Sequence, residues 1–232
     1  MAKKSKNKVP TLFTFDTPKS IISEKFRGIR SNIMFSNATN EIKSILITSE
    51  KPASGKSTIT ANIAITYAQA GYKTLIIDGD MRKSTQQYIF DLSNGSGLSN
   101  LIIGKSLMKD AVKATHIDNL FVLTSGPVPP NPSELINTSN FEELYDYFIE
   151  EFDFIIIDTP PVNTVTDAQL FAQFVKDCVL VIDTENSDKK EVKKAKELIE
   201  QSNGNIIGAI LNKAAKDKSS NYYNYYGAGN ND

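Results

Sequence analysis

Tryptophan is absent, and cysteine and histidine occur once each, as Cys178 and His116, in a chain of 232 residues. Single copies exclude a disulfide framework and a Cys/His zinc site, and any Ser-His-Asp triad would have to be built on His116. Neither charge is in excess. Lys and Arg number 26, Asp and Glu 27, and the net charge is −1, which argues against a nucleic-acid binder. No stretch approaches the roughly 18 apolar residues of a membrane span. The basic start MAKKSKNK is followed by VPTLFTFDTPKS, which lacks the apolar run of a signal peptide. These absences lead to the expectation of a cytoplasmic chain whose membrane contact comes through a partner.

What is present fits one sizeable soluble domain: 40% of residues are apolar and 23% charged, and the length is short for two domains. Residues 1–19 read as a basic, mobile arm. From Ser20 to Ser36, Ile22, Phe26, Ile29 and Ile33 recur at helical spacing behind a plausible N-cap, Ser20. Short apolar runs then alternate with longer helical segments. The runs are Ser44–Thr48, Thr74–Ile77, Leu120–Leu123, Phe154–Ile157, Val179–Ile182 and Ile206–Leu211. Near-continuous apolar runs suit strands buried on both faces, and the alternation predicts an α/β fold: a doubly wound, mainly parallel sheet with helices on both faces. The domain is expected over 20–215, with a polar tail over 216–232.

The first buried run leads into Ser49-Glu50-Lys51-Pro52-Ala53-Ser54-Gly55-Lys56-Ser57-Thr58, and a helical pattern follows. A loop between a strand and a helix N-terminus gathers backbone N–H donors at the positive end of the helix dipole. Gly55 permits close approach of phosphate, Lys56 reaches β- and γ-phosphates, and the Ser57 hydroxyl suits Mg²⁺. Glu50 stands where a Walker A motif has its first Gly. Lys51 fits the deviant pattern K-x-x-x-G-K-[ST], in which a second lysine contacts nucleotide; the competing reading is a solvated surface lysine. Residues 51–58 are the candidate ATP-binding loop. Asn212-Lys213 closes the last apolar run and makes Asn212 a candidate on the adenine side.

Acids follow two buried runs: Asp78 and Asp80 in Asp78-Gly79-Asp80-Met81-Arg82, and Asp158 before Thr159-Pro160-Pro161. Ligands of open parallel sheets bind beyond the C-terminal strand ends. Carboxylates there can hold Mg²⁺ on a nucleotide, with one left to accept a proton from an attacking hydroxyl. The plainer alternative is a set of loop caps. Asp183 has a similar place and reads as a cap. Of the nine tyrosines, Tyr222, Tyr223, Tyr225 and Tyr226 crowd into five residues, where a uniform spread would put about 0.4 in the last eleven. Their Asn, Ser and Gly flanks suit an accessible segment.

Taken together, ITSEKPASGKST, LIIDGDMRK, FIIIDTPP, GPVPPNPSEL (126–135), the element Glu24-x-x-Arg27-x-x-Arg30 and the tyrosine cluster resemble the bacterial tyrosine kinases. The nearest type is the stand-alone kinases of Gram-positive, staphylococcal capsule systems. The resemblance implies γ-phosphoryl transfer from ATP to tyrosine. It gives Lys56 to the transferred phosphate, and Ser57, Asp158 and Asp80 to Mg²⁺. It makes Asp78 the base, although the residues alone leave Asp78 and Asp80 interchangeable. It further implies autophosphorylation of Tyr222, Tyr223, Tyr225 and Tyr226 in a neighbouring subunit. The other implied features are a ring held by Glu24, Arg27 and Arg30 that phosphorylation disperses, a transmembrane adaptor that activates the enzyme at the inner face of the membrane, a cognate tyrosine phosphatase, and control of capsular or extracellular polysaccharide synthesis. Four phosphates would add about −6 to −8 charges. Two departures from the family pattern are Ser84, where Pro is usual, and Ala53-Ser54, where Gly-Ala or Gly-Glu is usual. The competing readings are a positioning or partition ATPase of the same P-loop branch and a non-catalytic nucleotide-binding scaffold.

Overall fold

A computed structural model describes residues 12–36 and 41–214. The chain runs α1 (Phe13–Asp16), α2 (Ile21–Phe35), β1 (Ser44–Ser49), α3 (Lys56–Gln69), β2 (Thr74–Asp78), α4 (Gln86–Ile89), α5 (Leu98–Ile102) and α6 (Met108–Ala111). It continues through β3 (Val112–Ala114), β4 (Leu120–Leu123), α7 (Pro132–Ile136), α8 (Ser139–Glu151), β5 (Phe154–Asp158), α9 (Asp167–Val175), β6 (Asp177–Asp183), α10 (Lys189–Gln201) and β7 (Asn205–Asn212). The sheet order is β3-β4-β2-β5-β1-β6-β7. All pairs are parallel except β3 with β4.

Successive strand side chains point to opposite faces, so each apolar run serves two cores. Ile45, Ile47, Ile76, Ile156, Val179 and Val181 face α2 and α3. Leu46, Leu75, Ile77, Ile155, Ile157 and Leu180 face a layer that includes α8, α9 and α10. This is the doubly wound arrangement the alternation predicts. Helix α3 is buried nearly all round because it lies between the sheet and the pair α1 and α2. A helix in that place needs no polar face. The N-cap of α2 is Ser20, whose hydroxyl accepts from the Ser23 amide.

Three features differ from expectation. The mobile arm does not extend through residue 19: Leu12 and Thr14 are buried, the Thr14 amide donates to Asn62 Oδ1 at 3.0 Å, and Gln69 Nε2 donates to the Thr14 carbonyl at 2.9 Å. Strand β7 is an edge, exposed or half-buried along its length, rather than covered on both faces. Strand β3 is an antiparallel edge too short and too exposed to leave an apolar run. No helix among the described residues is long and apolar enough to cross a membrane.

Candidate functional site

The sheet brings the candidate residues to one edge. Strands β2 and β5 are neighbours, with Asp78 level with Asp158, and β5 pairs with β1, which ends in the phosphate loop. The loop is closed on itself: the hydroxyls of Ser49 and Ser54 both donate to the Lys51 carbonyl, at 2.7 and 2.9 Å. Gly55 takes φ +92° at the start of α3, and a Cβ there would lie 2.3 Å from Asn212 Nδ2. Asn212 donates through that atom to the Ser54 carbonyl at 2.8 Å. It thus braces the loop from the last strand.

Ala53 has φ +61°, the left-handed region that favours glycine, at a cost of about 1–2 kcal/mol for an L side chain. That accounts for glycine as the usual residue at this position in the resembling family. Here Lys213 offsets the strain by donating to the Ala53 carbonyl at 3.2 Å and to Asp183 Oδ2 at 2.7 Å. Asp183 is therefore the capping acid expected of it, and the Lys213 hydrogen bond holds its carboxyl below the usual range.

Lys56 opens α3 and is 8% exposed. Burial pulls its ammonium down from the ordinary lysine value, against the opposing charges of Asp158, Asp80 and Glu50. Glu50, standing where Walker A has glycine, turns its carboxylate inward to accept from the Ser187 hydroxyl. Lys51 is half-buried and does not line the cleft in front of the loop. That cleft has a volume of about 420 Å³. Its lining includes Gly55–Thr58, Pro52, Ala53, Asp80, Arg82, Lys83, Pro160 and Pro161.

Asp78 and Asp158 lie side by side beneath the cleft, each almost without exposure. Burial raises the Asp78 carboxyl well above the carboxylate range, and the charge of Asp158 adds to it. Burial likewise raises Asp158, countered by Lys56 and by hydrogen bonds from Ser57 and Gln86. Asp78 Oδ2 accepts the amides of Thr85 and Gln86 at 3.0 and 2.9 Å, and Asp158 Oδ2 accepts Gln86 Nε2 at 2.8 Å. The other oxygen of each carboxylate, Asp78 Oδ1 and Asp158 Oδ1, is buried with no hydrogen-bond partner among the described residues. Two buried acceptors facing no donor form a place for a proton, a water or a cation. Asp80 sits higher, half-buried, and Oδ1 accepts the amides of Arg82 and Lys83 at 3.3 and 2.9 Å. It is thus a loop cap and a cleft acid at once.

Thr85, Gln86 and Asp167 join the site from outside every motif. Thr85 Oγ1 donates to Ser57 Oγ at 2.8 Å. Gln86, wholly buried, donates to Asp158 and also to the Ser57 carbonyl at 3.2 Å. Asp167 pairs with Arg82, and Ser133 of GPVPPNPSEL joins them. The one sequence signal was the polar run Ser84-Thr85-Gln86-Gln87 entering a helix beside a strand end. Ser84, in place of the usual proline, accepts from Gln87 Nε2 at 2.8 Å.

The remaining candidates lie elsewhere. Glu24 and Arg27 form an ion pair on the outer face of α2, Arg27 Nη2 also donates to the Pro18 carbonyl at 2.8 Å, and Arg30 turns inward to the Thr66 carbonyl of α3. Tyr222, Tyr223, Tyr225 and Tyr226 lie outside the described residues.

Comparison with known proteins agrees with this geometry. Residues 42–207 match the family model described as an AAA domain. The chain is 66% identical to CapB of Staphylococcus aureus, named as a tyrosine-protein kinase, over 98% of this chain and 99% of that protein. It is 42% identical to the tyrosine-protein kinase YwqD of Bacillus subtilis, over 92% of this chain and 90% of that one. The crystal structure of the chimerical protein CapA2B2 superposes with a TM-score of 0.86 at 58% identity, covering 88% of this chain and 90% of the other.

Proposed function

The chain belongs to the bacterial tyrosine-kinase family and is a protein-tyrosine kinase, and from that premise we propose how its residues divide the work. The P-loop kinase fold implies ATP with a divalent metal, here Mg²⁺. The observation that carries the reading is that Lys56, Ser57 and Asp80 line one cleft while Asp78 and Asp158 are buried at the adjoining strand ends, one carboxylate oxygen of each having no hydrogen-bond partner among the described residues. These oxygens fit a cation. Among the described residues no group of three or more His, Cys, Asp or Glu is arranged to hold a metal by itself, so the nucleotide and water would complete the coordination of an ion held by Ser57 and Asp158, with Asp80 at its edge. When bound, Mg²⁺ neutralises charge on the phosphates.

The amides at the start of α3, together with residues 51–58, cradle the phosphates, and Lys56 binds the oxygens of the group in transfer. Lys51, which stands off the cleft of its own copy, contacts the nucleotide of a neighbouring copy, and Asn212 braces the loop. Asp78 accepts the phenolic proton of the acceptor tyrosine. Its raised affinity for protons suits that role, since a base works best with a pKa nearer the working pH. Tyrosine has a pKa near 10, so positioning and charge neutralisation supply most of the catalysis.

The acceptors are Tyr222, Tyr223, Tyr225 and Tyr226 of a neighbouring copy, within a ring joined through Glu24, Arg27 and Arg30 of α2. Phosphorylation then disperses the ring by like-charge repulsion. Likeness to CapB and to a chimera whose name couples an A with a B component supports a membrane adaptor that activates the kinase at the inner face of the membrane. A tyrosine phosphatase resets the cycle, which regulates capsular or extracellular polysaccharide synthesis through further tyrosine substrates.

Transfer between copies is testable by mixing. A full chain carrying Lys56→Met keeps its tail but cannot transfer phosphate; a second carrying Phe at the four tail tyrosines can transfer but cannot accept. With Mg·ATP, phosphotyrosine is expected on the Lys56→Met chain. An unlabelled Lys56→Met chain, beside a wild type that labels itself, would place the transfer within one copy.

A further inference from the structure

We propose that Arg82 recognises the acceptor's aromatic ring, and that Asp167 and Ser133 hold its guanidinium in the cleft for that purpose. The inference rests on the kinase reading above and names the acceptor-side residue of the same site.

Arg82 ends the turn that carries Asp78 and Asp80. Its Nε donates to Asp167 Oδ2 at 2.9 Å and its Nη2 to Asp167 Oδ1 at 3.0 Å, a two-pronged pair of fixed geometry. Asp167, at the start of α9, has no exposure. The Ser133 hydroxyl donates to Asp167 Oδ1 at 2.7 Å and accepts from Arg82 Nη2 at 3.1 Å. This is the contact by which GPVPPNPSEL reaches the site. Burying a carboxylate is costly unless it is fully paired, and a surface arginine needs no such anchor merely to be soluble. The anchor fixes one edge of the guanidinium. Nη1 and the two flat faces remain on a side chain that is 40% exposed and lines the cleft beside Pro160, Pro161 and Val165.

An arginine locked by its edge offers its faces to an aromatic ring, by stacking and by cation–π attraction. The apolar part of that lining, Pro160, Pro161 and Val165, suits a ring, whereas a phosphate has Lys56 and the α3 amides. The acceptor's composition points the same way. Residues 221–227, NYYNYYG, contain no acid with which a cation could pair; the rings are what distinguish the segment.

The test uses the full chain, saturating Mg·ATP and a synthetic peptide of residues 221–227. Arg82→Lys keeps the charge and removes the flat fork. It is expected to raise the KM for the peptide about 10-fold, with kcat changed less than about threefold and Mg·ADP affinity less than about twofold. Asp167→Asn keeps an acceptor oxygen and loses the charge, and should give a smaller rise in the same direction. The peptide with phenylalanine at all four tyrosines cannot be phosphorylated. Its binding to the Mg·ADP-loaded protein, read by fluorescence anisotropy, should weaken about 10-fold in Arg82→Lys. Unchanged peptide affinity in Arg82→Lys would overturn the proposal, as would equal weakening of Mg·ADP, which would give Arg82 to the nucleotide. If wild type makes no phosphotyrosine yet binds the phenylalanine peptide in an Arg82-dependent way, the kinase reading fails and ring recognition stands.

Discussion

Lys56→Met is expected to lower phosphotyrosine formation by about 10³-fold while the protein remains folded. Methionine fills much of the volume of the lysine stem, so the start of α3 keeps its packing. What is lost is a positive charge in a place nearly closed to solvent, where burial already pulls the ammonium down and three carboxylates, Asp158, Asp80 and Glu50, hold it charged. A cation preset against the phosphates, in surroundings that screen charge poorly, acts where negative charge shifts during transfer. Among the described residues the other cations lining the cleft are Arg82 and Lys83, and Arg82 is committed to Asp167. Circular dichroism with phosphotyrosine blotting checks both halves of the expectation. More than about a tenth of wild-type activity would show that Lys56 does not act on the transferred group.

Asp158→Asn should move activity and stability in opposite directions. Activity is expected to fall about 10²-fold or more, because a metal-holding charge disappears. Without metal or nucleotide, stability at neutral pH should rise by about 1 kcal/mol, or a Tm higher by roughly 2–4 °C for a chain of this size. Asp78 and Asp158 are neighbours on adjacent strands, both buried, with carboxyls raised chiefly by burial. An amide brings no charge to repel Asp78. It keeps an oxygen for the Gln86 bond and adds a donor where acceptors are in excess. The pH dependence has a defined sign. Both acids bind protons more tightly folded than unfolded, so their contribution is most favourable below the unfolded value near 4 and is lost as pH rises through the raised folded values. The advantage of Asp158→Asn should therefore be small near pH 4 and grow toward neutrality. Thermal unfolding of both proteins across that range checks it; a constant difference would mean that Asp158 carries no charge cost in the fold.

The parts of the site legible in sequence were those that chain order alone determines. Buried strands wrote themselves as Ile, Leu and Val runs, and parallel order put the residues after each run at one edge. Asp78, Asp158 and the loop through Lys56 could thus be grouped without contacts. Gln86, Thr85 and Asp167 were not legible, because their roles are tertiary. Gln86 matters through a hydrogen bond to a residue 72 positions away, and Asp167 through one 85 positions away; neither spacing repeats a pattern. Asp80 shows why the cap and the functional readings of a strand-end acid did not compete: its carboxylate closes its own turn and still lines the cleft. Residues 12–16 read as arm because FTFD is too short to show helical period, while their anchor, Asn62, lies 48 positions away on α3. Ala53 was visible as a departure from glycine, but its left-handed backbone was not. The tyrosine cluster was the plainest signal of all, and it lies beyond the described residues.

The most direct test of the central claim is to incubate the full chain with Mg·ATP and the adaptor's cytoplasmic segment and map phosphotyrosine by mass spectrometry, measuring ATP consumption in the same tube. The account predicts phosphate on Tyr222, Tyr223, Tyr225 and Tyr226, absent in Lys56→Met. ATP consumed with no phosphotyrosine formed would contradict it and would make the chain a nucleotide hydrolase built on the same fold.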